Sequence, residues 1–359
     1  MPGDAFPGPG PRTAAAGTRP AAGQAPLRVR ANPMLGTYGV TVCAIVHNEM
    51  FFLPAFLAHY RALGADRFVI LDDRSTDATA AFLAAQPDVM VVESDVRYFE
   101  DIAYPPEARA LVRETRAVRL WRDQLMDQFC AGQWAVDVDP DELLALPEGG
   151  LPAFVAGLEA EGAEAAWGAM VDMYPARVAD ILGAGADASF DPTTPWFFDG
   201  RPHLDPRQPI GDGPKVPRTV YPGSVARLFA TWGVLPQGPA LVRLKRRLSG
   251  YRYEPASIIY KTPVVRWRQG DFFLNCHLTT KPVSMSRVVP MLHYKFTADL
   301  GRKIEYALAT GGYNQGSRSY RLYASLIERM MRHPEGSFLG RVSRRLTGYR
   351  ALADTGVAR

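Results

Sequence analysis

Four acidic side chains crowd into residues 136–142, which read Val-Asp-Val-Asp-Pro-Asp-Glu. The apolar run of Trp134, Ala135 and Val136 has the character of a buried strand. Pro140 ends that strand and sets the turn carrying Asp139, Asp141 and Glu142. Carboxylates in such a place need a counter-charge. An oxygen-only donor set suits a hard divalent cation, Mg²⁺ or Mn²⁺, whose open positions substrate phosphates complete. Standing alone, the same residues would read as a solvated Asp-Pro-Asp turn. A second acidic group alters that balance: Asp72-Asp73-Arg74-Ser75-Thr76-Asp77 directly follows the apolar residues 68–71.

The elements that must position these groups alternate between strand and helix. Residues 40–46 form a nearly continuous apolar run, as expected of a strand buried on both faces, and His47-Asn48-Glu49 ends it in polar groups. Leu53-Pro54 opens a helix with Phe56, Leu57, Tyr60 and Leu63 on one face, closed by Gly64. Ser75, Thr76 or Asp77 caps a second helix carrying Phe82 and Leu83, and residues 89–92 make a third strand. This interval implies a parallel sheet, and such sheets bind ligands outside the carboxyl ends of their strands. Asp72/Asp73 and Asp137/Asp139/Asp141 would then share one sheet edge.

Residues 107–130 read as a long helix with Arg109, Arg113, Arg116, Arg119 and Arg122 on a solvated face, one of which can reach a phosphate or base. Residues 151–158 read as helix, and 165–173 as a strand carrying Asp172. The aperiodic stretch 175–222 reads as a lid or acceptor-binding loop. Residues 225–229 and 257–267 have strand-like composition. His277 and His293 each lie in a strand-like run, where a hydrogen-bonded structural histidine is the plain reading. Residues 299–332 read as helices broken by Gly311-Gly312 and Gly316.

The bulk composition is that of a globular chain: 359 residues, 47% hydrophobic, net charge +4. That charge is too mild to imply nucleic acid, and no basic-aromatic repeat supports it. Cys43, Cys130 and Cys276 are odd in number and widely spaced, which fits a reducing, cytoplasmic compartment. Residues 1–33, rich in Pro, Ala and Gly, read as a disordered tail. The expected organisation continues with an α/β domain over 34–240, a part completing the site over 241–335, and a basic tail over 336–359. Basic clusters at 241–252 and 341–350 point to peripheral contact with the inner membrane.

Val46-His47-Asn48-Glu49 with Leu53-Pro54, then Ile70-Leu71-Asp72-Asp73-Arg74-Ser75-Thr76-Asp77, then Asp139-Pro140-Asp141-Glu142, resemble in order and spacing the family 2 glycosyltransferases of GT-A fold, most nearly their bacterial branch related to family 92. His293-Tyr294-Lys295-Phe296 through Lys303 to Gly311-Gly312 is similar to the distal His-containing motif of that branch. The resemblance implies an α/β fold of GT-A type, a Rossmann-like, mostly parallel sheet flanked by helices, with a mixed α+β C-terminal extension. It also implies a UDP- or GDP-sugar donor and a glycan, lipid-linked or protein acceptor. By the same resemblance Asp73, with Asp72 beside it, would contact the base or ribose. Glu49, in the first motif, and Arg116 are the further donor-contact candidates. Asp139 and Asp141 match the metal-holding element and Glu142 the acidic residue after it. Asp137 creates an overlapping Asp-x-Asp, so the direct ligand stays open among the three. His293 would lie near the diphosphate or acceptor.

The acceptor hydroxyl must lose a proton as it attacks the anomeric carbon, so an inverting enzyme needs a positioned carboxylate or His. Asp172, His277 and His293 are the catalytic candidates, with Asp199 a further carboxylate. Two other readings remain at this stage. One is a HAD-like phosphohydrolase, which also places Asp-x-Asp after a strand; the other is a non-catalytic GT-A-like domain that binds sugar nucleotide or glycan.

Overall fold

A computed structural model describes residues 27–102, 116–182, 188–210, 216–235, 258–275, 277–333 and 335–359. Its first element, Leu27–Ala31 (β1), alternates Leu27, Val29 and Ala31 with Arg28 and Arg30 and forms an antiparallel edge strand. The end of the expected disordered tail is therefore ordered by strand pairing, and residues 1–26 lie outside the described residues. The first parallel strands are Val40–Val46 (β2), Arg67–Asp72 (β3) and Val89–Ser94 (β4). Helices Leu53–Ala62 (α1) and Thr79–Ala84 (α2) connect them.

Helix α1 carries Pro54 in its first turn and buries Leu53, Phe56, Leu57 and Tyr60, each large apolar side chain worth roughly 1.5–3 kcal/mol. Gly64, at φ +86°, turns the chain after it. Asp77 Oδ1 accepts the Thr79 N–H at 2.9 Å and so holds the start of α2. Side chains of β2 alternate between two cores: Val42, Ala44 and Val46 pack with α1, whereas Cys43 and Ile45 pack with the next helix, Ala117–Phe129 (α3).

Helix α3 differs from the sequence expectation. Residues 103–115, with Arg109 and Arg113, lie outside the described residues, and Arg119 and Arg122 are buried rather than solvated. Arg119 is neutralised one turn on, with Asp123 Oδ2 at 3.0 Å.

The chain continues through Trp134–Asp137 (β5), Glu142–Leu144 (β6), Gly150–Ala160 (α4) and Ala165–Asp172 (β7). The described part of residues 175–222, read as a lid or acceptor-binding loop, contains the short strands Phe197–Asp199 (β8), Leu204–Ile210 (β9) and Val216–Thr219 (β10). Residues 225–229, read as a strand, belong to helix Gly223–Thr231 (α5), which is buried along most of its length. The basic segment 241–253 lies outside the described residues. Strands Tyr260–Arg266 (β11), Phe273–Asn275 (β12), Leu278–Thr279 (β13) and Val283–His293 (β14) precede helices Leu300–Thr310 (α6) and Asn314–Met331 (α7). The expected basic tail is built into the body. Ser343–Arg345 (β15) pairs with β8, and Tyr349–Asp354 (α8) and the residues after it bury Leu352, Val357 and Ala358.

The central nine-stranded sheet has the order β1-β4-β3-β2-β5-β11-β7-β14-β6. The pairings run β2, β3, β4, β5, β7 and β14 in one direction, with β1, β6 and β11 opposed. The fold is thus α/β, with a large, mostly parallel sheet flanked by helices. Cys43 and Cys130 are buried free thiols 3.5 Å apart. Among the described residues no helix is long and apolar enough to cross a membrane.

Candidate functional site

Strand order reverses between β2 and β5: after β2 the chain adds β3 and β4 on one side, then crosses to β5 on the other. The crevice outside the carboxyl ends at such a switch point is where open α/β sheets bind ligands. The polar strand ends collect there. Glu49 follows β2, Asp72 ends β3, Asp137 ends β5, Asp172 ends β7 and His293 ends β14. Because β11 runs the opposite way, Lys261 near its start reaches the same edge.

The acidic turn finds its counter-charges within the chain. Arg122 of α3 binds Asp137 through Nη1 and Asp139 through Nη2, the latter at 2.8 Å. Asp137 is buried in this pair and does not line the cleft. Lys261 Nζ is 2.8 Å from Glu142 Oε2 and 3.5 Å from Asp139 Oδ2. Glu142 Oε2 also accepts the Asp139 N–H at 2.8 Å, which closes the turn. Asp141 Oδ2 is approached by Lys303 Nζ at 3.3 Å, Lys295 Nζ at 3.9 Å and His293 Nε2 at 4.0 Å. Burial works against ionisation of both Asp139 and Asp141, but Lys261 and Arg122 for the first, and Lys303, Lys295 and His293 for the second, hold them well below the usual carboxylate range. Asp139 keeps 42% of its side chain exposed, and both line the cleft with Pro140.

The other two motifs interlock. Asn48, at φ +54°, turns the chain after β2, and its Oδ1 accepts the N–H groups of Thr76 at 2.7 Å and Asp77 at 3.2 Å. Ser75 Oγ and Thr79 Oγ1 accept the N–H groups of Asn48 and Glu49. These polar residues fix two strand ends to each other. Within the acidic pair, Asp72 accepts the Ser75 N–H at 3.1 Å and faces Arg30 at 3.6 Å. Asp73 lines the cleft, with Arg97 Nε 3.1 Å from its carboxylate. Glu49 also lines the cleft, 3.0 Å from Lys303 through Oε1, while its buried Oε2 has no hydrogen-bond partner among the described residues. Burial outweighs Lys303 and pushes the Glu49 carboxyl up to about 7.

The catalytic candidates separate. Asp172 and His293 meet, with Asp172 Oδ1 2.8 Å from His293 Nδ1. Burial disfavours the imidazolium, but Asp172 and then Asp141 raise the His293 pKa above its usual value. None of the four candidates is in the cleft lining itself, but His293 stands behind Asp141, which is, whereas His277 and Asp199 lie elsewhere. His277 stands between β12 and β13. Asp199 is fully buried, gripped by Arg227 at 2.8 and 2.9 Å and by the hydroxyls of Tyr174 and Tyr221. Arg116 is outside the lining as well; its Nη1 donates to Gly312 O at 2.9 Å and ties the start of α3 to the turn between α6 and α7.

Residues from α6, α7 and the segments just before them complete the wall. Lys295, Arg302, Lys303, Tyr306, Tyr313 and Tyr320 face Glu49, Asp73 and the acidic turn, with Tyr98 and Phe99 at the side. Residues 299–332 showed helical pattern, but which of their side chains face the β2 and β5 ends depends on how those helices dock. The advance signal was the likeness of His293-Tyr294-Lys295-Phe296 through Lys303 to Gly311-Gly312 to a distal family motif, which did not say where those side chains point. A second, more apolar cavity is lined by Phe51, Ile181, Phe190, Trp196, Phe197 and Thr297, among others. Phe51 and Thr297 are near chain neighbours of Glu49 and Lys295, so the two hollows adjoin.

No protein-family model matches this chain, and a search of curated proteins returned no match.

Proposed function

We propose that the chain is a glycosyltransferase of GT-A type that moves a sugar from a nucleotide-sugar donor to a glycan, lipid-linked or protein acceptor. One observation carries this reading. Glu49, Asp73 and the Asp139-Pro140-Asp141 turn line one cleft at the sheet's switch point, opposite the cations Lys295, Arg302 and Lys303. A nucleotide with its diphosphate offers both the hydroxyls that carboxylates bind and the negative charge that ammonium groups bind. Neither a phosphomonoesterase nor a bare glycan-binding surface needs Asp73 and the acidic turn together.

The donor chemistry suits Mg²⁺ or Mn²⁺. Among the described residues no three His, Cys, Asp or Glu groups stand ready-made around a metal position. Asp139 and Asp141 nevertheless both face the cleft, and Asp172 fixes Nδ1 of His293 so that Nε2 is turned to Asp141. A histidine oriented by a carboxylate in this way is the usual form of a metal ligand. Asp139 and Asp141, which line the cleft, would hold the ion, with His293 behind Asp141 as a further candidate; Asp137, buried against Arg122 and outside the lining, would not. When bound, a divalent ion would neutralise charge growing on the departing diphosphate. Arg122 and Lys261 keep the turn in shape from beneath, so that Asp139 and Asp141 need little reorganisation. Asp73 and Glu49 offer acceptors for donor hydroxyls. The adjoining aromatic hollow between Phe51 and Trp196 provides the face on which an acceptor would lie.

The test is thermal unfolding with a panel of nucleotide sugars and Mn²⁺. A donor present at 100 times its Kd should stabilise the fold by about 2.7 kcal/mol. A panel in which no nucleotide sugar raises the midpoint would contradict the proposal.

A further inference from the structure

Lys295 and Lys303 converge on one carboxylate oxygen, Asp141 Oδ2, at 3.9 and 3.3 Å. Both side chains are largely buried, with 14% and 15% of their surface exposed. Lys303 has a second partner in Glu49. Among the described residues Lys295 has no carboxylate at hydrogen-bonding distance; its Nζ lies over the rings of Tyr320 and Tyr323, 5.3 and 5.9 Å from their centres. Removing an ammonium group from water costs more than a cation–π contact returns. Lys303 is shared between Glu49 and Asp141, whereas Lys295 has only the more distant Asp141, so the cationic charge of this wall is least neutralised at Lys295. Both groups line the cleft, beside Tyr306, Tyr313 and Tyr320.

We propose that Lys295 and Lys303 form a built-in diphosphate site, which binds the diphosphate of a nucleotide without any divalent cation. The inference rests on the nucleotide-sugar reading and deepens it: the metal serves transfer, while the lysines serve binding. Two ammonium groups converging on Asp141, one of them without a close carboxylate, match an anion with several charged oxygens better than they match a carboxylate or a neutral sugar. Arg302 contributes less, because Asp299 already binds it at 2.6 and 2.8 Å.

Calorimetric titration of UDP, GDP and inorganic pyrophosphate into the full chain, in EDTA and then in Mn²⁺, tests this. The expected result is binding of pyrophosphate and at least one of the two nucleotides in EDTA, weakened tenfold or more in Lys295→Met and in Lys303→Met. Should either variant fail to fold, salt titration of the wild-type chain is the second arm, and affinity in EDTA should fall steeply as salt rises. Binding seen only with Mn²⁺, or binding in EDTA that neither variant nor salt weakens, overturns the inference and leaves the glycosyltransferase reading standing. No binding of any of the three ligands under either condition overturns both.

Discussion

His293 and Asp172 are register partners at the ends of the parallel strands β14 and β7, and His293 Nδ1 lies 2.8 Å from Asp172 Oδ1. Both are buried, so the strand pairing holds the imidazole with its other nitrogen toward Asp141. Parallel pairing of two strand ends converts residues 121 positions apart in the chain into one rigid unit. Asp172→Asn should remove the support that raises the His293 pKa against burial, and NMR titration should show that pKa moving down. Mn²⁺ affinity should fall about 10–100-fold. Unchanged Mn²⁺ affinity would show that His293 takes no part in holding the ion.

Glu49 makes stability depend on pH. Its carboxyl is pushed from 4.5 to about 7 by burial, so the unfolded chain ionises it first. Its contribution is therefore fully present below about pH 4.5 and is lost as pH rises through about 7, a loss of roughly 3 kcal/mol. Glu49→Gln cannot ionise. Urea unfolding should show the variant gaining on the wild type between pH 4.5 and 7, with a constant difference above. Parallel stability curves across that range would contradict the burial assigned to Glu49.

Asp199 is predicted to be a structural ion-pair partner and not the base. Removing Arg227 strands a fully buried carboxylate, so Arg227→Ala should destabilise the fold by about 3–5 kcal/mol in urea unfolding. A change below 1 kcal/mol would mean that Asp199 is solvated or protonated in the native chain.

The strands that carry the site were legible because each is a short apolar run ended by polar residues: 40–46 before His47, 68–71 before Asp72, 134–136 before Asp137. Their meeting at one edge followed from the strand–helix alternation. The need of the acidic turn for counter-charge was also legible, but its source was not. Arg122, Lys261, Lys295 and Lys303 come from four different elements or loops, and only the packed fold decides which of many basic side chains points inward. Arg119 and Arg122 read as solvated because charged residues in a helix usually are; the one local sign otherwise was Asp123 four residues after Arg119. Residues 225–229 are too few to separate a buried strand from a helix buried on most sides, and packing of α5 decided it. In residues 27–31 the alternation Leu-Arg-Val-Arg-Ala was a strand signal outweighed by the composition of the residues before it.

The most direct measurement of the central claim is release of nucleoside diphosphate from a panel of nucleotide sugars, with Mn²⁺ and candidate glycan acceptors, by the wild type and by Asp141→Asn. At least one donor should turn over, with release about 100-fold or more slower in the variant, as expected when a group that stabilises developing charge is lost. Equal release by both proteins, donor binding with no release, or release of inorganic phosphate from simple phosphomonoesters instead would contradict it.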